Sequence, residues 1–127
     1  MKIQSHSDNG WFDRKEQTMK KVNILGTEYT LIETTQAEDQ NLEGVDGYCD
    51  TSIKECVVEK MEASGVIREK KNLPEYKKAV TRHELIHAFL FESGLDCCSW
   101  ANNEEMVDFF AIQFPKLLKV FKDSDCL

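Results

Sequence analysis

Hydrophobic and polar residues alternate over residues 22–25 and again over residues 28–33, with Gly26-Thr27 between the runs. A period of two belongs to a strand with one buried face. The segment therefore predicts strand, tight turn, strand, with Tyr29 and Leu31 on the buried side. Residues 35–44 are acidic and polar and read as a connection with room for one helical turn. Gly47-Tyr48-Cys49-Asp50 and residues 53–59 form a second hairpin candidate around Thr51-Ser52, with β character from Cys56, Val57 and Val58. The count is three or four short strands, mostly antiparallel because they come as hairpins.

After Lys60 the pattern changes. Residues 62–72 are charged, contain Gly65 and read as loop. Pro74 suits the first helical position, Glu75 the first turn and Gly94 the stop. They bound a helix that ends near Ser93, with Val80, Ile86, Leu90 and Phe91 as its core contacts. A second helix is predicted from Asn102, which can cap it while Glu105 at N3 completes a capping box. Phe109-Phe110 reads as core. Pro115 should kink or interrupt this helix, with residues 116–122 resuming it. The fold class is α+β: the sheet packed on one central and one C-terminal helix. Residues 1–18 show no period and read as an N-terminal extension, either flexible or a short first helix. Residues 19–127 then make a single domain.

Composition narrows the function. The chain has 127 residues, 41% hydrophobic and 31% charged, enough for one core. A formal net charge of -7 argues against nucleic acid as a partner, which would want a basic face. No apolar run approaches a membrane span. Residues 1–6 lack the apolar stretch of a secretory signal, so the expected location is cytoplasmic. The five cysteines are an odd number and contain no CxxC pair, which argues against a disulfide framework and a thiolate zinc site. Cys49 and Cys56 could face each other across their hairpin as reduced thiols. The adjacent Cys97-Cys98 has poor geometry for a mutual disulfide.

The chemistry centres on His83-Glu84-Leu85-Ile86-His87, an HExxH run inside the first predicted helix. Residues four apart share a helix face, so both imidazoles can point at one ion, with Glu84 beside it to reach a water. A catalytic zinc site takes three protein ligands and leaves one position open. The metzincin pattern would need Gly at position 90 and His at 93, where this chain has Leu90 and Ser93. The remaining histidine, His6, lies in the extension. An acid from the next helix is the natural third ligand. Glu104 and Asp108 share a face with Val107 and Ala111, while Glu105 lies about 100° further round. Glu104 is therefore the assigned ligand and Glu105 the alternative. Asp108 could accept a hydrogen bond from a liganding histidine and fix its tautomer. Against this stand two plain readings: histidines on a buried helix face as core residues, and acids favoured at a helix N-terminus by its dipole.

HExxH followed by Asn103-Glu104-Glu105-Met106-Val107-Asp108 resembles the gluzincin type of zincin metallopeptidase, whose second motif is ExxxD on a later helix. The short linker and the upstream hairpins are most similar to the ImmA/IrrE-type peptidases of phages and mobile elements. The likeness covers about residues 47–115. Asp108-Phe109-Phe110-Ala111 resembles that group's N-x-F-A tail with Asp in place of Asn, and Val107 stands where Ala is usual. The resemblance implies a zincin-like fold and one Zn2+ held by His83, His87 and Glu104, with Asp108 holding His83. It implies Glu84 as general base and a protein or peptide substrate, such as a regulator encoded by a mobile element. An edge strand beside the cleft would receive the substrate, with residues 53–59 as the candidate, and Tyr48 is the candidate oxyanion donor. The alternative function is a zinc-binding regulatory or interaction module without efficient proteolysis.

Overall fold

The computed structural model of the chain describes residues 11–14, 17–61, 71–97 and 100–127. His6, residues 62–70 of the segment expected to be loop, and Cys98 lie outside the described residues.

The first hairpin is the one the alternation predicts, but its turn lies one residue earlier. Strand β2 covers Gln17–Ile24 and β3 covers Thr27–Thr34, with Ile24 opposite Thr27. The turn residues are Leu25 and Gly26, at φ 50° and 94°. Two positive φ values give the mirror-image turn whose twist suits a two-residue hairpin loop. The side chain of Asn23 accepts the Gly26 N–H at 2.8 Å. Alternation along β3 sends Tyr29 and Leu31 to the front of the sheet and Ile32 and Thr34 to the back, all four buried.

A short strand β1, Phe12–Arg14, pairs antiparallel with β2. The sheet thus reaches into the segment read as an extension and has five strands rather than three or four. Strands β4 (Gly47–Asp50) and β5 (Glu55–Glu59) form the second hairpin. The order is β1-β2-β3-β5-β4, and the β3 and β5 pair is parallel while the other pairings are antiparallel. Parallel neighbours need a connection that returns the chain to the starting end, which residues 35–54 supply with β4 as the returning strand. They contain one 3-10 turn, Gln40–Leu42, and lay Leu42 against Ile32 and Val57 on the back of the sheet. This order corrects the edge assignment. β5 is hydrogen-bonded on both sides and β4 is the edge, because the connection carries the chain outward to β4 and β5 fills the gap beside β3.

The front carries helix α1, Leu73–Glu92, with Pro74 in its first turn and Gly94 at φ 81° past its end. The main core joins Ile24, Tyr29, Leu31, Cys56, Val58 and Ala88, with Val80 and Leu85 packed against it. Of the other expected contacts, Ile86 and Leu90 are half-buried and Phe91 is exposed beside the Lys54 ammonium. The last residue of α1, Glu92, sets a negative charge at the negative end of the helix dipole. Three donors hold it there. Lys54 Nζ and the Tyr29 hydroxyl reach Oε2 at 2.8 and 2.7 Å, and the Thr27 hydroxyl reaches Oε1 at 2.9 Å. The Lys54 bond, then the Tyr29 bond, hold its carboxyl at about 2, below the ordinary 4.5.

Helix α2, Glu104–Asp123, is capped by Asn103, whose side chain accepts the Met106 N–H at 2.9 Å. The helix starts later than the cap expected at Asn102, so Met106 rather than Glu105 occupies N3 and no capping box forms. Pro115 lies inside α2, which runs through it unbroken, contrary to the expected interruption. Proline lacks the N–H that would reach the carbonyl of Ala111. Arg82 Nε, from α1, donates to that carbonyl at 2.5 Å instead. The gap left by proline becomes a junction between helices. Val107 and Ala111 are the buried residues of α2. Phe109 and Phe110, expected in the core, are 53% and 40% exposed, because those two smaller residues make the buried contact and no described element covers the outer side. No helix among the described residues is long and apolar enough to cross a membrane.

Two outcomes follow. Arg82→Ala leaves a buried carbonyl without a donor, a loss of about 1–3 kcal/mol. Pro115→Ala restores the missing N–H, so in that background the loss should shrink by about half or more in a denaturant double-mutant cycle. For Glu92, a depressed pKa means that stabilisation is fully present above pH 4.5 and disappears as the pH falls through about 2. Glu92→Gln should lower stability at neutral pH and flatten its acid dependence between those values, as followed by circular dichroism.

Candidate metal centre

The HExxH run is helical throughout, within α1. Its spacing stacks His83 and His87 on one face. Their rings meet edge-on with centroids 4.8 Å apart, and their Nε2 atoms are 3.1 Å apart. Glu104, the first residue of α2, spans both. Its Oε2 is 3.0 Å from His83 Nε2 and its Oε1 is 2.9 Å from His87 Nε2. Asp108, one turn on, takes the other side of His83, with Oδ1 2.8 Å from Nδ1. The structure thus brings Glu104 and Asp108 to the histidines. Glu105 is exposed and forms no ion pair with either.

Glu84 turns inward and is 7% exposed. It lies against Gly47 of the edge strand. A Cβ on Gly47 would stand 3.0 Å from Val80 Cγ1 and from the Val57 carbonyl, and 3.2 Å from Glu84 Cγ. Only glycine lets β4 approach the helix this closely. Burial pushes the Glu84 carboxyl up to about 7. His83 opposes that rise, while Glu104 and Asp108 add to it. Burial likewise lowers the pKa of His87, against the pull of Glu104. A carboxyl poised near 7 can accept and return a proton at neutral pH.

The donor set fits a divalent metal. Asp108 Oδ1 lies 2.8 Å from His83 Nδ1, and an imidazole that donates its one proton from Nδ1 carries a lone pair at Nε2. A carboxylate oxygen stands 3.0 Å from that Nε2, an approach that a proton or a metal ion between the two atoms would stabilise. Ligands about 2.0–2.1 Å from a tetrahedral zinc stand roughly 3.3 Å from one another. The two imidazole nitrogens stand 3.1 Å apart, and each has a different oxygen of Glu104 at 3.0 or 2.9 Å. Two imidazoles and a carboxylate also match the donor types of a catalytic zinc with one position open. Donor atoms of His83, Glu84 and His87 also all lie within 4.8 Å of one another, so this group too could hold an ion.

Two open cavities meet at this point. One of about 430 Å³ is bounded by Cys49, Thr51, Glu84, His87 and Asn102. The other, of about 610 Å³, is bounded by Tyr76, Val80, Asp108 and Ile112. His83, Glu84 and Gly47 line both. A third cavity of about 620 Å³, beside Trp11 and Lys60, lies away from the histidines.

Tyr48 lines the cavity of about 430 Å³, but its hydroxyl is turned away from the histidines. Alternation along β4 turns Cys49 to the front and Tyr48 to the back, where its ring joins Ile32, Leu42 and Val57 and its hydroxyl donates to Asp39. Burial and that bond push the phenol up to about 12. The residues missed from sequence include Gly47, Cys49, Thr51, Asp96 and Asn102 on the cavity wall. Strand parity could have found Cys49. Asn102 was masked by its neighbour, since either asparagine could have been the cap.

No protein-family model, curated protein or solved structure matches the chain. Gly47→Ala should destabilise the fold by about 1–3 kcal/mol through overpacking between β4 and α1. Thermal melts check this, with exposed Val45→Ala as the neutral control.

Proposed function

We propose that the protein is a zinc-dependent metallopeptidase that cleaves within a protein or peptide chain. One observation carries the reading: the Glu104 carboxylate bridges the Nε2 atoms of His83 and His87 while Asp108 holds the far side of His83. His83, His87 and Glu104 would hold the ion. When bound, zinc would lower the pKa of a water and polarise the substrate carbonyl. Asp108 keeps the His83 lone pair at Nε2. Glu84 takes the proton of the attacking water at its carboxylate and passes it to the leaving amine. β4 is the edge strand at the cavities, and an extended peptide can pair with its free side. Space on both sides of the histidines favours internal cleavage over trimming of chain ends. The resemblance to ImmA/IrrE-type peptidases extends the proposal to a regulatory protein of a phage or mobile element as substrate.

A second reading, a zinc-binding regulatory or interaction module without efficient proteolysis, is favoured by one feature. The hydroxyl of Tyr48, the side chain read as oxyanion donor, is bound to Asp39 on the far side of the sheet.

Metal analysis after zinc loading should find one ion per chain. Glu104→Ala should weaken binding by about tenfold or more, since even the partners that orient ligands are worth that much, and Glu105→Ala should leave it unchanged. The reverse pattern would overturn the ligand set, and a chain that takes up no zinc would sink both readings. Glu84→Gln should retain zinc while cleavage of an unstructured fluorogenic peptide library slows by about 10²- to 10⁴-fold. Zinc binding without cleavage in the native chain would select the second reading.

A further inference from the structure

The cavity wall carries a pair of thiols that the proposed reaction does not use. Cys49 of β4 and Cys56 of β5 are direct partners across the antiparallel hairpin. The Glu59 N–H donates to the Asp46 carbonyl at 2.9 Å. Hydrogen-bonded and non-hydrogen-bonded pairs alternate along such a ladder, so the pair three steps on, Cys49 and Cys56, is non-hydrogen-bonded. Residues opposed in that way bring their Cα atoms to about 4.5 Å, the closer of the two spacings. That distance lies inside the range a disulfide spans, about 4.4–6.8 Å. Both side chains point to the front, and their Sγ atoms stand 3.7 Å apart. Closing to a bond of about 2.05 Å is within the reach of small side-chain rotations.

Access separates the two. Cys49 is half-buried and lines the cavity of about 430 Å³ beside His83 and His87. Cys56 is fully buried beneath α1, with its S–H directed at the Glu84 carbonyl at 3.5 Å and at Cys49. A small oxidant entering the cavity meets Cys49 first, and Cys56 waits behind it as the only other thiol in contact among the described residues. This is the arrangement of an exposed reactive thiol with a buried resolving one.

We propose that Cys49 and Cys56 form a reversible oxidation site for a small hydroperoxide. The Cys49 sulfur attacks the peroxide O–O bond, gaining one oxygen as sulfenic acid and releasing water when the oxidant is hydrogen peroxide. The Cys56 sulfur then attacks the Cys49 sulfur and expels the hydroxyl, which leaves as a second water with the Cys56 proton. Two thiols are oxidised and one peroxide is reduced. The product ties the edge strand β4 to its inner neighbour at the wall of the metal centre. The inference stands on the thiol geometry and needs neither zinc nor cleavage.

The test treats the full-length chain with hydrogen peroxide, alkylates it under denaturing conditions and maps the tryptic peptides. Trypsin cuts after Lys54, between the two cysteines, so a cross-link joins two separate peptides. The expected product is a Cys49–Cys56 peptide pair lighter by about 2 Da than its reduced parts and released by dithiothreitol. In Cys56→Ala the cross-link should vanish and Cys49 should be trapped by dimedone as sulfenic acid. Full alkylation of both cysteines after peroxide would overturn the proposal. So would oxidation of Cys49 to sulfinic acid without a cross-link, or its capture by Cys97, Cys98 or Cys126 instead of Cys56. Because the readout is a mass, a zinc-free or inactive protein can still pass it, and an active peptidase can still fail it.

Discussion

Helix α1 lies against the edge of the sheet at contact distance because Gly47 has no side chain. That contact decides the character of the helix on both sides. Glu84, on the near face, is pressed between β4 and the helix and largely buried, which raises its affinity for a proton. His83 and His87, further round the same turns, are left at the rim with their nitrogens clear of the sheet. At the far end of the helix Glu92 is tied to Lys54, Tyr29 and Thr27. The contact at Gly47 and the tether at Glu92 leave α1 little freedom to roll. A rigid histidine pair is a condition for placing two donor atoms within a few tenths of an ångström.

The second helix has to deliver a carboxylate to that pair, and it does so by its first residue. Asn103 caps α2, so Glu104 begins it, and a carboxylate suits the positive end of the helix dipole. One turn later Asp108 meets the other nitrogen of His83. The depth at which α2 docks is set by small buried residues, Val107 and Ala111, and by the Arg82 bond to the carbonyl that Pro115 leaves free. A proline that might have broken the helix gives the neighbouring helix a place to hold it.

What the sequence made legible was what helix geometry repeats. The HExxH face, the Glu104 and Asp108 spacing and the stop at Gly94 depend on residues a few positions apart. Their relative directions are thus settled before any tertiary contact. The misses were of two kinds. Leu25-Gly26 against Gly26-Thr27, and Asn103 against Asn102, are one-residue ambiguities between chemically similar neighbours. The edge role of β4, the direction of Tyr48, the exposure of Phe109 and Phe110 and the unbroken helix at Pro115 depend on partners distant in sequence. Nothing within a few residues of Pro115 announces Arg82, and nothing in residues 53–59 reveals that a strand from upstream lies outside them.

The eleven residues from 93 to 103 that join the helices have a thermodynamic side. His83 and His87 come from one helix and Glu104 from the other, and what otherwise joins the helices is a narrow seam. An ion shared between them would bind the docked form and not the splayed one. By mass action, each tenfold rise of free metal above the dissociation constant adds about 1.4 kcal/mol to the docked state. The supply of metal would then govern how long the chain survives surveillance by proteases as well as what it can do.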